Sequence, residues 1–345
     1  MSFQVIIQPT GHSFPAEPGV SVLDAAMAAG IVLPYSCRTG ACSSCKGKVV
    51  SGSYDAGSSP QQILSPEELE AGYTLFCQAK PTSDLVIEAH EVRMASDIQI
   101  RKMPARVMGL ERLVDDVMVI RLQLPPSEPF RFYPGQYVEF IMKDGRRRSY
   151  SMANPPSDDN LVELHVRHMP GGAFTDHVFG AGATQMKLRE ILRIEGPFGS
   201  FFLREDSDKP LVFLASGTGF APFKAIIEAM MARGDQRKVT LYWGGRRPRD
   251  LYMDAFVRGW AEQWPQLSYV PVVSDALSED NWTGRTGFVH QAVLQDFPDL
   301  SGHEVYACGA PIVVESARKD FVAQAGLPDD AFFADAFTSE ADIAR

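Results

Sequence analysis

The sequence predicts a multidomain protein of the α+β and α/β classes, because three stretches of the chain differ in their pattern of cysteines, glycines and apolar residues. Residues 1–92 contain four of the five cysteines. Residues 103–205 contain short alternating strands between Pro and Gly, which predict a six-stranded antiparallel β-barrel. Residues 206–345 open with an apolar strand, a glycine turn and a helix, which predict a doubly wound parallel sheet. The predicted linker is 93–102.

The composition indicates an ordinary globular protein that does not bind nucleic acid. Of the 345 residues, 45% are hydrophobic and 22% are charged, and the net charge is −10, whereas phosphate-backbone binding requires a clustered basic surface. Because no run of 18 apolar residues occurs and the first residues lack an export signal, we expect a cytoplasmic monomer without a membrane segment. The acidic surface is explained equally by solubility and by steering of a basic partner.

Four cysteines near the start of the chain have the spacing of an iron–sulfur site. Four residues separate Cys37 from Cys42, two separate Cys42 from Cys45, and thirty-one separate Cys45 from Cys77, which is the plant-type [2Fe–2S] pattern. Small residues around Gly40 let backbone N–H groups approach the cluster. The alternative is a structural zinc ion, but zinc sites usually use two short Cys-x-x-Cys pairs and this segment has one. We therefore predict that these four cysteines bind a [2Fe–2S] cluster.

The segments around the cysteines are predicted to form short strands and one helix. Residues 3–7, 48–50 and 85–87 have strand patterns, and Ser21 is predicted to cap a helix that reaches Met27. In this arrangement, residues 1–92 resemble the β-grasp ferredoxin domain.

A second motif follows among the alternating strands at residues 117–122, 137–140 and 162–166. The run Arg148-Ser149-Tyr150-Ser151-Met152-Ala153-Asn154 contains Arg-x-Tyr-Ser, and here the chain resembles the ferredoxin–NADP reductase superfamily. The resemblance implies a FAD site in which Arg148 pairs with the pyrophosphate, Tyr150 packs against the isoalloxazine or ribityl group, and Ser151 hydrogen-bonds near N5. Asn154 and Val166 are expected to contribute to the same site. Taken alone, the motif also suits ordinary strand residues.

A glycine turn comes next, Pro170-Gly171-Gly172-Ala173-Phe174-Thr175, and it is predicted to open a helix over 175–179. The resemblance implies that Gly171, Gly172, Ala173 and Thr175 bind the FAD pyrophosphate at the start of this helix. A bare turn with a helix cap is the alternative. The nearby His165 and His168 are assigned no chemistry.

The third segment has the pattern of a nucleotide-binding unit. After the apolar strand 210–216, Gly217, Thr218 and Gly219 form a turn that lets a pyrophosphate approach backbone amides, and Pro222 suits the first turn of the helix that follows. A later strand ends in Cys308-Gly309-Ala310-Pro311. The resemblance implies that Cys308 lies beside the nicotinamide C4 and that Gly309 and Pro311 line the same site, while the alternative for Cys308 is a small buried apolar residue.

The C-terminal aromatic run provides one further candidate. The resemblance implies that Phe337 covers the flavin ring where nicotinamide must stack, and that Ser151, Cys308 and Phe337 are catalytic. Phe332 and Phe333 are expected to pack in the core. Arg246, Arg247 and Arg249 could receive the 2′-phosphate of NADPH or could simply be solvated, but the resemblance favours NADH.

In order, these motifs resemble single-chain reductases that place ferredoxin first and serve Rieske oxygenases or diiron monooxygenases, as in aromatic hydrocarbon catabolism. They are similar also to the reductase that serves the CDP-6-deoxy-hexulose dehydrase of deoxysugar synthesis. The resemblance implies an NADH-dependent iron–sulfur flavoprotein that passes electrons through FAD and [2Fe–2S] to a protein acceptor. The acceptor would be an oxygenase, monooxygenase or dehydrase component. The alternatives are a stand-alone flavin or quinone reductase and a structural or binding module.

Overall fold

The computed structural model describes residues 2–89, 98–127, 129–180 and 184–337, together with the backbone of 93–94. These residues form two compact units. One contains residues 1–97, 199–201 and 334–345, and the other contains 98–198 and 202–333. The centre of the predicted linker, residues 95–97, lies outside the described residues, and the end of that linker belongs to a long strand that begins at Arg101.

The first unit contains a five-stranded sheet in the order β2-β1-β8-β4-β6. Only the β1–β8 pair is parallel. Strands β3 and β9 form one separate pair, and β5 and β7 form another. As predicted, the Ser21 hydroxyl caps α1 by accepting a hydrogen bond from the Asp24 amide. The elements are β1 (Phe3–Gln8), β2 (Ser13–Ala16), α1 (Val22–Ala28), β3 (Ile31–Val32), β4 (Lys46–Ser51), β5 (Tyr54–Asp55), α2 (Pro60–Ile63), α3 (Pro66–Glu70), β6 (Tyr73–Leu75), β7 (Lys80–Pro81), β8 (Leu85–Glu88) and β9 (Arg93–Met94).

The second unit begins with a six-stranded sheet in the order β13-β12-β15-β10-β11-β14, and every pair in it is antiparallel, as predicted. Its elements are β10 (Arg101–Val114), β11 (Val117–Gln123), β12 (Tyr137–Ile141), β13 (Arg147–Ser151), β14 (Leu161–Arg167), α4 (Ala173–Phe179) and β15 (Ile191–Phe198). Helix α4 begins two residues before the predicted start at Thr175. Gly172, whose extended backbone permits it to be the N-cap residue, precedes the helix directly.

The same unit continues with the strands β19-β18-β17-β16-β20 of a second six-stranded sheet, whose order ends with β21, and β21 begins in this unit at Phe332. Strands β17, β16 and β20 run parallel, and the strand order reverses beside β16, as in a doubly wound sheet. The elements are β16 (Leu211–Ser216), α5 (Phe220–Arg233), β17 (Val239–Gly245), α6 (Asp254–Gln263), β18 (Leu267–Val273), β19 (Arg285–Thr286), α7 (Val289–Asp296), β20 (Glu304–Gly309), α8 (Pro311–Ala325) and β21 (Phe332–Ala336). This order predicts a ligand site at the carboxyl ends of β16 and β20.

The helices in the described ranges are short, and α8 is the longest of them with 15 residues. None of these helices combines the length and the apolar character that crossing a bilayer demands.

Candidate redox centres

The four clustered cysteines meet as two pairs of thiols. Cys37 and Cys42 share a side-chain hydrogen bond, and so do Cys45 and Cys77. Three of the four side chains are buried, and Cys37 is partly exposed. Paired thiols are the arrangement that a two-iron cluster needs, because each iron takes two protein ligands.

Backbone amides of the cysteine loop converge on these sulfur atoms. The amides of Thr39 and Ala41 hydrogen-bond to Cys37, and the amide of Gly40 hydrogen-bonds to Cys77. Gly40 has φ +84°, and a Cβ there would lie 2.6 Å from the hydroxyl oxygen of Ser59. The hydrogen bond with Cys42, together with these amides, lowers the pKa of Cys37 to about 5 although burial opposes the shift. The loop therefore favours the thiolate form at Cys37, which is the form that ligates iron, whereas the hydrogen bond with Cys37 and burial raise the pKa of Cys42.

The arrangement of the thiols bears on the choice between a zinc ion and an iron–sulfur cluster. Across the parts of the chain that the structure describes, no three His, Cys, Asp or Glu side chains form a group able to hold one metal ion. A structural zinc ion needs four ligands around a single centre. Two separate thiol pairs with amide donors fit a cluster in which sulfide bridges two irons.

The residues that hold the cysteine loop in place were not predicted from the sequence. Tyr35 donates its backbone N–H to the Ser200 hydroxyl at 2.8 Å, and its own hydroxyl accepts the Gly199 amide at 2.8 Å. Ser36, beside Cys37, donates its hydroxyl to the buried carboxylate of Asp335. All five residues belong to the first compact unit. Because Ser200 and Asp335 lie far along the chain, local motifs could not reveal them.

The two predicted flavin motifs meet through aromatic packing. The Tyr150 ring lies 5.2 Å from the Phe174 ring, which is in the first turn of α4, and 5.8 Å from the Phe140 ring. Burial raises the pKa of the Tyr150 hydroxyl, and the nearby charge of Arg148 partly opposes that shift. Ser151 is buried at the end of β13. The structure thus brings the Arg-x-Tyr-Ser strand close to the glycine turn.

Several of the predicted flavin residues form contacts within the protein. The Thr175 hydroxyl donates to the Met169 carbonyl at 2.8 Å and so closes the glycine turn. Asn154 accepts the Glu163 amide at 2.7 Å and donates to the Leu161 carbonyl at 2.9 Å. The Val166 side chain is buried in the core of the sheet. The donors that this turn offers to a pyrophosphate are therefore the first amides of α4, around Ala173, which have no intrahelical acceptor.

Both predicted nicotinamide motifs lie at the carboxyl ends of adjacent parallel strands. Ala215 of β16 pairs with Cys308 of β20. The turn of Gly217, Thr218 and Gly219 and the turn at Gly309 then follow these two strands, as the doubly wound order requires. A Cβ on Gly219 would lie 2.2 Å from the Cys308 carbonyl oxygen, and Gly309 has φ +133°.

Three residues flank this turn region. Cys308 is fully buried, which fits the alternative of a small buried apolar residue. Pro222 lies in the first turn of α5, and Pro311 begins α8.

Two further residues border the Gly217 turn and were missed in the sequence. Trp243 donates its indole N–H to the Gly217 carbonyl at 2.9 Å. Arg167, the last residue of β14, lies 4.0 Å from the position of a Cβ on Gly217. Its Nε and Nη2 atoms are buried and have no hydrogen-bond partner within the described ranges. The guanidinium is partly exposed, and its Nη1 atom pairs with Asp116 at 2.9 Å and Asp250 at 3.3 Å. The two remaining donor atoms, placed at a glycine turn, fit an anionic dinucleotide.

At the C-terminus, Phe332 is buried, and Phe333 stacks on Tyr306 with ring centroids 4.6 Å apart. Phe332 therefore packs in the core, as expected, whereas Phe333 is only partly buried. Phe337 is half-buried directly after β21.

Comparison with protein families finds three matches in sequence order. Residues 5–82 match the 2Fe-2S iron-sulfur cluster binding domain, residues 104–203 match the oxidoreductase FAD-binding domain, and residues 213–319 match the oxidoreductase NAD-binding domain. The thiol pairs, the flavin motifs and the nicotinamide turns each fall within the corresponding match.

Two curated proteins and one solved structure are similar to almost the whole chain. The chain is 42% identical to the CDP-6-deoxy-L-threo-D-glycero-4-hexulose-3-dehydrase reductase of Yersinia pestis, over 98% of this chain and 99% of that protein. It is 36% identical to terephthalate 1,2-dioxygenase reductase component 1 of Comamonas sp, over 98% of each. The Amycolatopsis cytochrome P450 reductase GcoB superposes with a TM-score of 0.77 at 34% identity, over 98% of this chain and 99% of that one.

Proposed function

Because this chain belongs to the ferredoxin–NADP reductase superfamily, as an oxidoreductase with an N-terminal [2Fe–2S] domain, we propose that it carries electrons from NADH through FAD and the cluster to a partner protein. The observation that carries the proposal is the presence of all three domains in one chain, together with two thiol pairs that fit a two-iron cluster. FAD, when bound, accepts an electron pair and releases electrons singly, as a one-electron cluster requires.

The residues around the flavin and nicotinamide turns have separate tasks in this proposal. Arg148 binds the FAD pyrophosphate together with the first amides of α4, and Tyr150 and Ser151 contact the flavin ring system. Arg167 donates to the dinucleotide at the Gly217 turn, where its two unused donors support the assignment. Cys308 orients the nicotinamide, and Phe337 covers the flavin until nicotinamide binds.

The finer organisation of the chain is part of the same proposal. We assign residues 1–92 to the ferredoxin domain, 93–102 to the linker, 103–205 to the FAD domain and 206–345 to the NAD domain, and the three family matches support these bounds. We also propose that the antiparallel sheet closes into a barrel. A bridge between Met152 and Leu164 supports closure, because it joins the two ends of the strand order. A cytoplasmic monomer completes the proposal, and size-exclusion chromatography with light scattering tests the monomer.

The electron route is tested with Cys42→Ser. We expect this variant to lose the cluster and NADH-dependent cytochrome c reduction, while NADH still bleaches the flavin absorbance at close to the wild-type rate. The physical reason is that Cys42 ligates iron and lies outside the unit that holds the flavin motifs. Full cytochrome c reduction by a cluster-free variant would reject the route and would favour a stand-alone flavin or quinone reductase.

Cys308→Ser is the reciprocal control. Its cysteine is buried in the NAD segment, so the variant should keep its iron and acid-labile sulfide while NADH reduces the flavin more slowly. If both substitutions removed the cluster, general instability would explain the loss and the two cysteines would have no separate roles.

We propose an oxygenase or monooxygenase component as the acceptor, which the dioxygenase and phenol hydroxylase reductases among the relatives support. A deoxysugar dehydrase is a second candidate, because the dehydrase reductase relative has the higher identity, 42% against 36%. Purified components of both kinds from the same organism, mixed with the reductase and NADH, separate the two. The physiological acceptor should be reduced by wild type and not by Cys42→Ser.

We propose NADH as the electron donor, because Arg247, which follows β17, already has carboxylate partners. Arg247 makes a bidentate pair with Asp280, at 2.6 and 2.8 Å, and also contacts Glu279 at 3.2 Å. The amides of Arg246 and Arg247 both donate to the same oxygen of Asp250 at 2.9 Å. A 2′-phosphate, with a charge of about −1.5 to −2 at pH 7, would have to displace these carboxylates.

The coenzyme assignment is tested by kcat/KM for NADH and NADPH. Wild type should prefer NADH, and Asp280→Asn should raise kcat/KM for NADPH by about tenfold, since one charge-assisted hydrogen bond to Arg247 becomes available. Glu262→Gln, an exposed carboxylate on α6, is the matched control and should leave the ratio unchanged. A wild-type preference for NADPH would reject the assignment.

A further inference from the structure

Lys224, on helix α5, is a buried lysine that none of the motifs above explains. Only 7% of its surface is exposed. Its ammonium contacts Glu228 Oε1 at 2.8 Å, Glu163 Oε1 at 3.1 Å and the Ala153 carbonyl at 3.1 Å. Burial of an ammonium is unfavourable unless it is paired and hydrogen-bonded, and here all three of its protons have acceptors. The ammonium is therefore fully hydrogen-bonded, by groups from separate parts of the chain.

These contacts connect the two halves of the hydride-transfer region. Helix α5 begins directly after the Gly217 turn, so the position of Lys224 is coupled to that turn through the helix. Ala153 lies two residues after Ser151, the residue assigned to the flavin N5 region, and Glu163 is on the neighbouring strand β14. All of these residues belong to the same compact unit. Lys224 thus connects the helix that follows the Gly217 turn to Ala153, at the end of the predicted flavin motif.

Glu163 is itself held by two more side chains. Arg121 donates to its second oxygen at 3.1 Å, and the buried imidazole of His165 contacts the same oxygen as Lys224 at 3.2 Å. Burial alone would raise the pKa of Glu163, but the hydrogen bond with His165 and the charge of Lys224 lower it to about 2. Glu163 is therefore ionised at neutral pH and provides a fixed negative partner for Lys224.

A second connection runs from the same strand to the other side of the turn. His165 Nδ1 lies 2.8 Å from the Tyr252 hydroxyl. The Tyr252 ring packs edge-on against Trp243 with centroids 5.1 Å apart, and Trp243 donates to the Gly217 carbonyl. Strand β14 therefore holds the Gly217 turn through α5 on one side and through Trp243 on the other.

We propose that Lys224 is a positioning residue for hydride transfer, fixing the nicotinamide turn relative to the flavin strand through Glu163 and the Ala153 carbonyl. The inference rests on the proposed function. In the step concerned, the C4–H bond of the reduced nicotinamide breaks, and the hydride carries both electrons to N5 of oxidised FAD. Lys224 takes no part in these bond changes, and its contribution is the geometry of approach.

Rapid mixing of the holoenzyme with NADH, followed through flavin absorbance, tests the proposal. In Lys224→Met the rate at saturating NADH should fall by about 10- to 100-fold, because small displacements of reacting groups have effects of this size. The NADH concentration for half-saturation should change much less. Lys224→Arg should recover part of the rate, and Lys319→Met, an exposed lysine on α8, should match wild type. An unchanged maximal rate in Lys224→Met, or a change confined to half-saturation, would overturn the proposal.

Hydrogen exchange provides a readout that does not depend on turnover. Without NADH, the amides of residues 217–226 and 152–154 should exchange faster in Lys224→Met than in wild type and Lys319→Met. The double variant Lys224→Met/Glu228→Gln also removes the half-buried carboxylate that pairs with Lys224 at 2.8 Å, so it should regain thermal stability without regaining the rate. Recovery of both together would show that Lys224 acts through stability alone and would overturn the proposal.

Different results would reject the proposed function and the role of Lys224. If NADH does not reduce the flavin of wild type, the proposed function is rejected and the role of Lys224 with it. If NADH reduces the flavin of wild type and of Lys224→Met at the same rate, only the role of Lys224 is rejected.

Discussion

The cysteine loop and the Gly217 turn differ in where their supporting contacts come from. In the loop, three of the four thiols come from residues 37–45, and amides of the same segment hydrogen-bond to the sulfurs. The nicotinamide turn contains no ionisable side chain over Gly217, Thr218 and Gly219. Its position is set by neighbours from other elements, among them Trp243 and the Cys308 carbonyl. One site is thus largely local in sequence, and the other is assembled by the tertiary structure.

This difference predicts which property a substitution at each site should change. A local site depends on the backbone conformation of its own segment, so a change inside the loop should remove the cofactor. An assembled site depends on close approach and on buried polar contacts, so a change there should alter the rate of hydride transfer while the protein remains folded.

The largest effect is expected from Gly40→Ala in the cysteine loop. The residue has φ +84°, and its new Cβ would lie 2.6 Å from Ser59 Oγ, so the loop must move and its amide must leave Cys77. Iron and acid-labile sulfide in the purified protein should be lost. Gly19→Ala is the control, because Gly19 has φ +82° with no atom within 4 Å of its Cβ position. A normal cluster in Gly40→Ala would contradict the local description.

Gly219→Ala should have the next largest effect. Its Cβ would lie 2.2 Å from the carbonyl oxygen of Cys308, and a backbone contact cannot be relieved by rotating a side chain. Flavin reduction by NADH should slow by about 100-fold or more with the cluster content unchanged. Gly259→Ala on α6, where no atom lies within 4 Å, should behave as wild type. A variant with the wild-type rate would indicate that β16 and β20 separate easily.

A smaller effect is expected from the pH dependence of stability at His165. Burial lowers the pKa of this imidazole below its usual value of 6.5, so the unfolded chain binds more protons than the native protein as the pH falls below 6.5. Stability is therefore lost on acidification, with a slope of at most about 1.4 kcal/mol per pH unit. Urea unfolding at pH 7.5 and 5.5 should show a smaller loss for His165→Gln than for wild type. Equal losses would mean that the pKa of His165 does not differ between the native and unfolded states.

Tyr252→Phe should have the smallest effect of the four. The substitution removes the hydroxyl 2.8 Å from His165 Nδ1 and keeps the ring that packs against Trp243. The free energy of unfolding should fall by about 1 kcal/mol, and flavin reduction should slow less than in Lys224→Met. If flavin reduction slowed more in Tyr252→Phe than in Lys224→Met, the contacts through Trp243 would be the main support of the Gly217 turn.

Much of the architecture followed from periodicity in the sequence. The predicted strand at 117–122 is observed as Val117–Gln123, and the predicted strand at 137–140 as Tyr137–Ile141. Strand β10 was not predicted, and its first two residues, the charged Arg101 and Lys102, were included in the predicted linker. The start of α4 was placed two residues late, and the structure has Gly172 as the N-cap residue.

Spacing and backbone freedom are local properties, so the amino-acid sequence was enough to predict the order of the cofactor segments, the four cysteines as cluster ligands and the two glycine turns. Which distant side chains support these segments became evident only in the folded protein. Asp335 beside Ser36, Arg167 beside Gly217, and Lys224 between Glu163 and Ala153 are pairings of residues far apart in the chain. The physical reason is that an isolated arginine or lysine in a sequence has no sign of burial, and burial is what turns such a charge into a fixed partner.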